Sequence, residues 1–430
     1  MNKLNIKSLR PYLLLWSTQS LSALGSSMTG YALVLWLYRE SGSALETALL
    51  SVCSYAPYVL MSIFAGALSD LWDKKRTMLI CDLLAAVSTV GVLVLLETGQ
   101  LAPWHMYLLN AVSGLMNTVQ QPASEVAATL LVPKEHYQRT SGLRSLSGSL
   151  NTLLHPVLAS ALFAFSGMDL VIAVDLATFS LAFLTLLFFI RIPKAPESER
   201  PRESLLASAG EGLRWLRGDP LIMYLIFFLA CINLVASAYN AALPALLLSR
   251  ENGGETVFGL VNATVGAASL IGSAAASLLP ASKDRVRAIC LCLFLAMSTE
   301  NFLLAFGRTP ALWCLGAVLG WLPIPLMNAH MDVIFRTRIP AGMQGRVFSC
   351  RNTLQFFTIP VGYLLGGVLV DQVFEPLMSA QAGGLLVSLF GSGKGSGAAL
   401  LFFVLGLSGV AVCLVFYRLL RRFRGSLPRA

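Results

Sequence analysis

The sequence predicts an all-α membrane protein of twelve transmembrane helices arranged as two six-helix halves. Three observations predict it. The composition is too apolar for a water-soluble globule, apolar stretches of membrane-spanning length fill the chain, and a short sequence feature recurs at equivalent places in the two halves.

Of 430 residues, 56% are hydrophobic and 12% charged, and mean hydropathy is +0.70. So few charged residues cannot cover a soluble particle of this length, so lipid is the solvent for most of the surface. The net charge of +9 would invite a nucleic-acid reading in a soluble chain, but here its placement carries the information and no nucleic-acid partner is expected. The eight cysteines lie inside apolar stretches without a CxxC pair and read as small core residues, with no metal or disulfide implied.

A hydrocarbon core about 30 Å thick takes about 20 apolar residues per helical crossing. Charge clusters and Gly/Pro punctuation divide the chain into spans 1 to 12 at 11–38, 44–69, 77–96, 103–131, 140–164, 169–190, 221–248, 257–279, 287–306, 310–334, 346–370 and 398–418. Lys3, Lys7 and Arg10 precede span 1, which is longer than the apolar core of a secretory signal and stays as a helix. With both termini cytoplasmic, 25 of the 31 basic residues fall in inside segments. The outside loops then hold Arg39, Arg250, Arg308 and Lys394, while Arg144 and Arg351 lie a turn inside spans 5 and 11. Basic residues are retained on the cytoplasmic side during insertion, so this asymmetry predicts an even number of crossings and a multi-pass membrane protein.

The longest polar stretch, Arg191 to Pro220, is rich in proline and charge and reads as a cytoplasmic linker with a surface helix around Leu205–Arg217. It separates a first bundle at 1–190 from a second at 221–430, with the linker at 191–220. Asp371 to Gly397 reads as a long outer loop ending in the flexible run Gly391 to Gly397. Its Gly-Ser-Gly-Lys is no nucleotide loop, because Ser388 and Gly395 stand where a phosphate-binding loop requires Gly and Ser or Thr. Val132-Pro133 precedes Arg139 and span 5 at the spacing at which Ile339-Pro340 precedes Arg346 and span 11. Each of those spans then carries a Pro-Val pair, Pro156-Val157 and Pro360-Val361, which points to an internal duplication.

The segment between spans 2 and 3 runs from Gly66 through Asp70 to Lys74, Lys75 and Arg76. This Gly, an Asp four residues on and then a basic cluster resembles the signature of the major facilitator superfamily, and the resemblance covers essentially the whole chain. Pro122-Ala123, Leu131-Val132-Pro133, Ser141-Gly142, Ile192-Pro193 and Gly345-Arg346-Val347-Phe348-Ser349 resemble its drug:proton antiporter branch, which includes macrolide-efflux proteins. The sequence departs from the pattern at Leu71, at Asp73, and at Ser113, where many drug antiporters carry an Arg in span 4. The resemblance implies a monomeric secondary transporter that exchanges a small amphipathic molecule for protons by alternating access within membrane lipid, without a cofactor. Lysophospholipid and siderophore transporters of the same fold are alternatives of the same class. A membrane-embedded enzyme or sensor is the alternative from another class, and the chain shows no GxSxG or metal motif to support one.

The resemblance also implies a cytoplasmic gate in which Asp70 meets the start of span 11 near Gly345 and Arg346, and Lys74 with Lys75 and Arg76 reaches Glu125. Carboxylates inside the bilayer are costly and mark functional sites. Asp175 and Glu300 are the proton-coupling candidates, whereas Asp82 is expected to pair with Lys74–Arg76 and Asp332 with Arg336. In the implied fold, polar and aromatic residues of spans 1, 4, 7 and 10 line the cargo cavity. These are Gln19 and Tyr31; Asn110, Asn117 and Gln121; Asn233, Tyr239 and Asn240; and Trp321 and Asn328.

Overall fold

In a computed structural model the described residues are 6–133, 137–193, 205–279, 282, 284–340, 343–381 and 383–426. Parts of the expected repeat (Lys134 to His136, Ala341, Gly342) and linker residues 194–204 lie outside them. Among the described residues the regular structure is helical: α1 (Ile6–Ser41), α2 (Ala44–Leu71), α3 (Lys74–Glu97), α4 (Pro103–Leu131) and α5 (Tyr137–Leu184) come first. The amphipathic α6 (Leu205–Gly218) follows, then α7 (Pro220–Ser249), α8 (Glu255–Leu278), α9 (Arg285–Phe306), α10 (Pro310–Trp321) and α11 (Ile324–Arg338). The chain ends with α12 (Gln344–Phe356), α13 (Thr358–Val368), α14 (Glu375–Ser379), α15 (Leu385–Phe390) and α16 (Ser396–Leu420).

Local chemistry sets several of these boundaries. Asp73, Asp219 and Asp284 each accept a hydrogen bond from a first-turn backbone N–H of α3, α7 and α9, and Pro opens α4, α7 and α10, where its missing N–H costs nothing. The expected span 10 is two helices, because Pro323 and Pro325 interrupt the backbone ladder between α10 and α11. Spans 5 and 6 are two helical arms, numbered together as α5, that meet at a non-helical kink at Gly167, whose φ of 73° lies in the left-handed region open to glycine.

Ten helical segments among the described residues are long and apolar enough to cross a membrane. Twelve spans were expected, and the difference has two sources. The segment Leu146–Phe189 contains both span 5 and span 6, and α4 is absent from the ten because Asn110, Ser113, Asn117, Gln120, Gln121 and Glu125 lower its hydropathy. The surface is inverted relative to a soluble protein: Leu60, Ile80, Phe188, Phe189 and Leu278 face outward, while Asp82, Asp175, Glu300, Asn301 and His330 are buried.

The helices form two compact units, Met1–Leu33 with Cys53–Leu205, and Val34–Val52 with Leu206–Ala430. In the first, Leu15, Met78, Ala123, Ala127, Leu186 and Ile190 make an apolar core that joins α1, α3, α4 and the end of α5. A π-turn, Thr185–Phe189, closes α5, and Lys75 Nζ donates to the terminal carbonyls of Leu187 and Ile190 at 2.9 and 2.8 Å. In the second unit Trp313 is fully buried and donates to the Gly307 carbonyl at 3.0 Å. There α13 lies close against α7, where the absence of a side chain at Gly366 lets the Ala238 backbone approach.

The expected outer loop from Asp371 to Gly397 is more ordered than its composition implies. It contains the π-turn Leu369–Phe374 and the helices α14 and α15, and its glycine run turns into α16 with Gly391, Gly393 and Gly395 all at positive φ. Its acids explain the order. Asp371 accepts hydrogen bonds from Ser43 Oγ (2.6 Å) and from the first N–H groups of α2, Ala44 (3.1 Å) and Leu45 (2.9 Å). Glu375 does the same for Gly395 (2.8 Å) and Ala398 (3.3 Å) at the start of α16.

Candidate transport site

The first unit holds a half-open cavity of about 750 Å³ between α1, α3, α4 and both arms of α5. Polar residues at helical spacing line it from two sides: Gln19, Ser22, Ser26 and Thr29 on α1, and Asn110, Ser113, Asn117, Gln120, Gln121 and Ser124 on α4. Of the expected cavity residues, Gln19, Asn110, Asn117 and Gln121 are therefore on this wall. Tyr31 stands elsewhere, edge-on to His155 with ring centroids 5.8 Å apart.

Two carboxyl groups reach the cavity. Asp175, on the second arm of α5 and 3% exposed, accepts from Ser26 Oγ at 3.1 Å and Thr29 Oγ1 at 2.8 Å. Gly25 leaves room for α1 to approach Asp175 this closely. Asp82 does not pair with the basic cluster at the start of its own helix. Its oxygens accept from Gln19 Nε2 at 3.1 Å and Gln120 Nε2 at 2.6 Å, so α1 and α4 converge on it. The physical reason is direction: Lys74 donates to the Trp72 carbonyl and Lys75 to the end of α5, while Asp82 points into the bundle. Among the described residues lining the cavity, Arg144 is the basic one, and it forms an ion pair of 2.9 Å with Glu125.

The second unit holds Glu300 on α9, 5% exposed. Tyr239 Oη on α7 donates to Glu300 Oε1 at 2.6 Å, and Trp321 Nε1 at the end of α10 donates to the same oxygen at 3.0 Å. Gly320 makes this possible, since any side chain there would collide with the Glu300 carboxyl. Two expected cavity residues, Tyr239 and Trp321, are thus brought together on an expected coupling residue. Asn233 instead donates to the Gln355 carbonyl at 3.0 Å, Asn240 bonds back to Ala236 at 2.9 Å while remaining exposed, and Asn328 is exposed.

Of the gate implied by the family signature, the side-chain surroundings of Gly66, Asp70 and Gly345 lie outside the described residues. Glu125 is joined to Arg144, Lys75 caps α5, Arg76 is exposed, and Arg346 is ion-paired with Glu211 of α6. Asp332 is exposed. The sequence reading missed Thr29, Gln120 and the cavity role of Asp82. The signal was present as the spacing of Gln19, Ser22, Ser26 and Thr29, and of Asn117, Gln120 and Ser124, each a single helical stripe.

Membrane-spanning helices around a cavity lined by amides, hydroxyls and two buried acids are the architecture of a polytopic transporter. The Major Facilitator Superfamily model matches residues 15–357, and the chain belongs to that family. It is 22% identical over 377 residues to macrolide efflux protein A of Streptococcus pyogenes, covering 87% of this chain and 92% of that protein. It is 25% identical over 331 residues to the enterobactin exporter EntS of Escherichia coli O1:K1 / APEC, covering 76% and 77%. Among solved structures, a bacterial homologue of the iron transporter ferroportin in an inward-facing state superposes with a TM-score of 0.69 at 16% identity, covering 96% and 99%. At that identity the likeness shows the shared fold.

Proposed function

We infer that this transporter exports small amphipathic molecules from the cytoplasm in exchange for protons, by alternating access of two six-helix halves that make twelve crossings. The halves correspond to 1–190 and 221–430, joined by the linker, and both termini face the cytoplasm of a bacterial inner membrane. The observation that carries the reading is the pair of buried acids held by uncharged donors. Asp175 is bonded by two hydroxyls, and Glu300 by a phenol and an indole. A hydroxyl switches between donating and accepting as a carboxyl loses or gains its proton, so the Asp175 site serves both states. The efflux relatives and the amide-rich cavity support export of an amphipathic solute over a sugar or inorganic ion.

Inverted vesicles containing the protein test this with a panel of amphipathic compounds, with and without an imposed proton gradient. Uptake that requires the gradient and falls to background in the Asp175→Asn, Glu300→Gln double variant is expected. Gradient-driven uptake of unchanged rate in the double variant contradicts the assignment of the acids. Labelled lysophospholipid and a catecholate siderophore belong in the same panel, as the alternative cargoes.

A further inference from the structure

We propose that Asp82 is the cation-recognising residue of the first-unit cavity, and that the cargo accordingly carries a positive charge. This rests on the export reading above and names the substrate class for it.

The geometry separates the two cavity acids by depth. Asp82 lies eight residues from the start of α3, and Asp175 eight residues beyond the bend at Gly167. At about 1.5 Å per residue, each sits roughly 12 Å along its helix from those two points, which the topology proposed above puts on the cytoplasmic and outer sides respectively. One acid therefore stands toward the cytoplasmic end of the cavity and the other toward the outer end.

Their partners differ in kind. Asp175 is held by hydroxyls, which follow a proton on or off; Asp82 is held by carboxamide N–H groups, which only donate. With Gln19 on one side and Gln120 on the other, the Asp82 carboxyl is fixed in position on the cavity wall. Arg144, the basic group on this wall among the described residues, is already engaged by Glu125. No Lys or His belongs to the described lining. A carboxylate in low dielectric without a countercharge is unfavourable, and a cationic guest entering from the cytoplasm supplies one. An anionic guest would meet two acids and no free base. The apolar remainder of the wall, including Leu15, Leu33, Leu109 and Phe179, suits the body of an amphiphile.

Three triphenyl probes of closely similar size and shape separate charge from bulk: methyltriphenylphosphonium (a cation), methyltriphenylborate (an anion) and triphenylphosphine oxide (neutral). Their binding to the purified full-length chain in detergent, without any gradient, is measured by equilibrium dialysis. The cation is expected to bind at least about tenfold more tightly than the neutral oxide, the lower end for a contact with a charged group. Asp82→Asn is expected to abolish that ratio, while Asp82→Glu retains part of it. The proposal is overturned if the wild type prefers the anion or neutral probe, if Asp82→Asn leaves the ratio intact, or if it weakens cation and oxide equally. Proton-driven export of other compounds that persists despite such a result leaves the transport function standing and removes only the substrate class.

Discussion

The cost of each buried acid is met by particular neighbours, and single substitutions read those neighbours out. Gly320 touches the Glu300 carboxyl so closely that Gly320→Ala forces the helices apart. Overpacking of this kind costs about 1–3 kcal/mol, so the midpoint of thermal unfolding in detergent is expected to fall, and an unchanged midpoint argues against the packing described. Tyr239→Phe removes the phenolic donor from Glu300 and leaves a buried oxygen with the Trp321 indole alone. The expected loss is about 1–3 kcal/mol in the same assay, together with a changed pH profile of transport that a purely packing role would not produce. These residues were partly legible in advance. Asp175, Glu300, Tyr239 and Trp321 stand out in a sequence because charge and amphipathic aromatics are rare inside spans, but which of them meet depends on helix rotation, which one-dimensional spacing does not set. Asp82 shows the limit: proximity in sequence favoured Lys74–Arg76, and tertiary packing supplied Gln19 and Gln120 instead.

At the scale of elements, the boundaries were readable where chemistry marks them. Aspartates precede α3, α7 and α9, prolines open α4 and α10, and the proline pair divides α10 from α11. What composition concealed is the segment from Asp371 to Gly397, where glycine and serine suggest a floppy loop. Its order comes from long-range capping, since Asp371 serves the N-terminus of α2 and Glu375 that of α16. Asp371→Ala removes the acceptor for Ser43, Ala44 and Leu45 and is expected to lower stability by about 0.5–2 kcal/mol, as loss of a helix N-cap does. Asp371→Asn, which keeps one acceptor oxygen, should lose less. Equal stability of Asp371→Ala and wild type in thermal unfolding would show that the cap contributes nothing. Nearby, burial pulls the Arg250 guanidinium down, an effect opposed by Glu375, while its side chain donates to the Phe390 carbonyl at the end of α15.

For the whole molecule, lipid solvation explains why apolar side chains cover the outside while acids, amides and hydroxyls gather within. The fold class was legible from composition and the placement of basic residues, because both are set by the bilayer and by insertion rather than by detailed packing. The number of crossings is a finer matter: the joining of spans 5 and 6 across the kink at Gly167 and the polar stripe of α4 leave ten segments that are apolar by length and composition. Tags at the two ends test its parity, and both are expected to be accessible only from the cytoplasm; one end inside and the other outside breaks the even count. The central claim, cargo leaving as protons enter, is tested most directly in proteoliposomes loaded with a pH-sensitive dye. Addition of a transported compound to the external medium, with no other driving force, is predicted to move protons across the membrane in the opposite direction. That movement should vanish in the Asp175→Asn, Glu300→Gln variant. Cargo flux that proceeds at full rate without any proton movement would contradict the account.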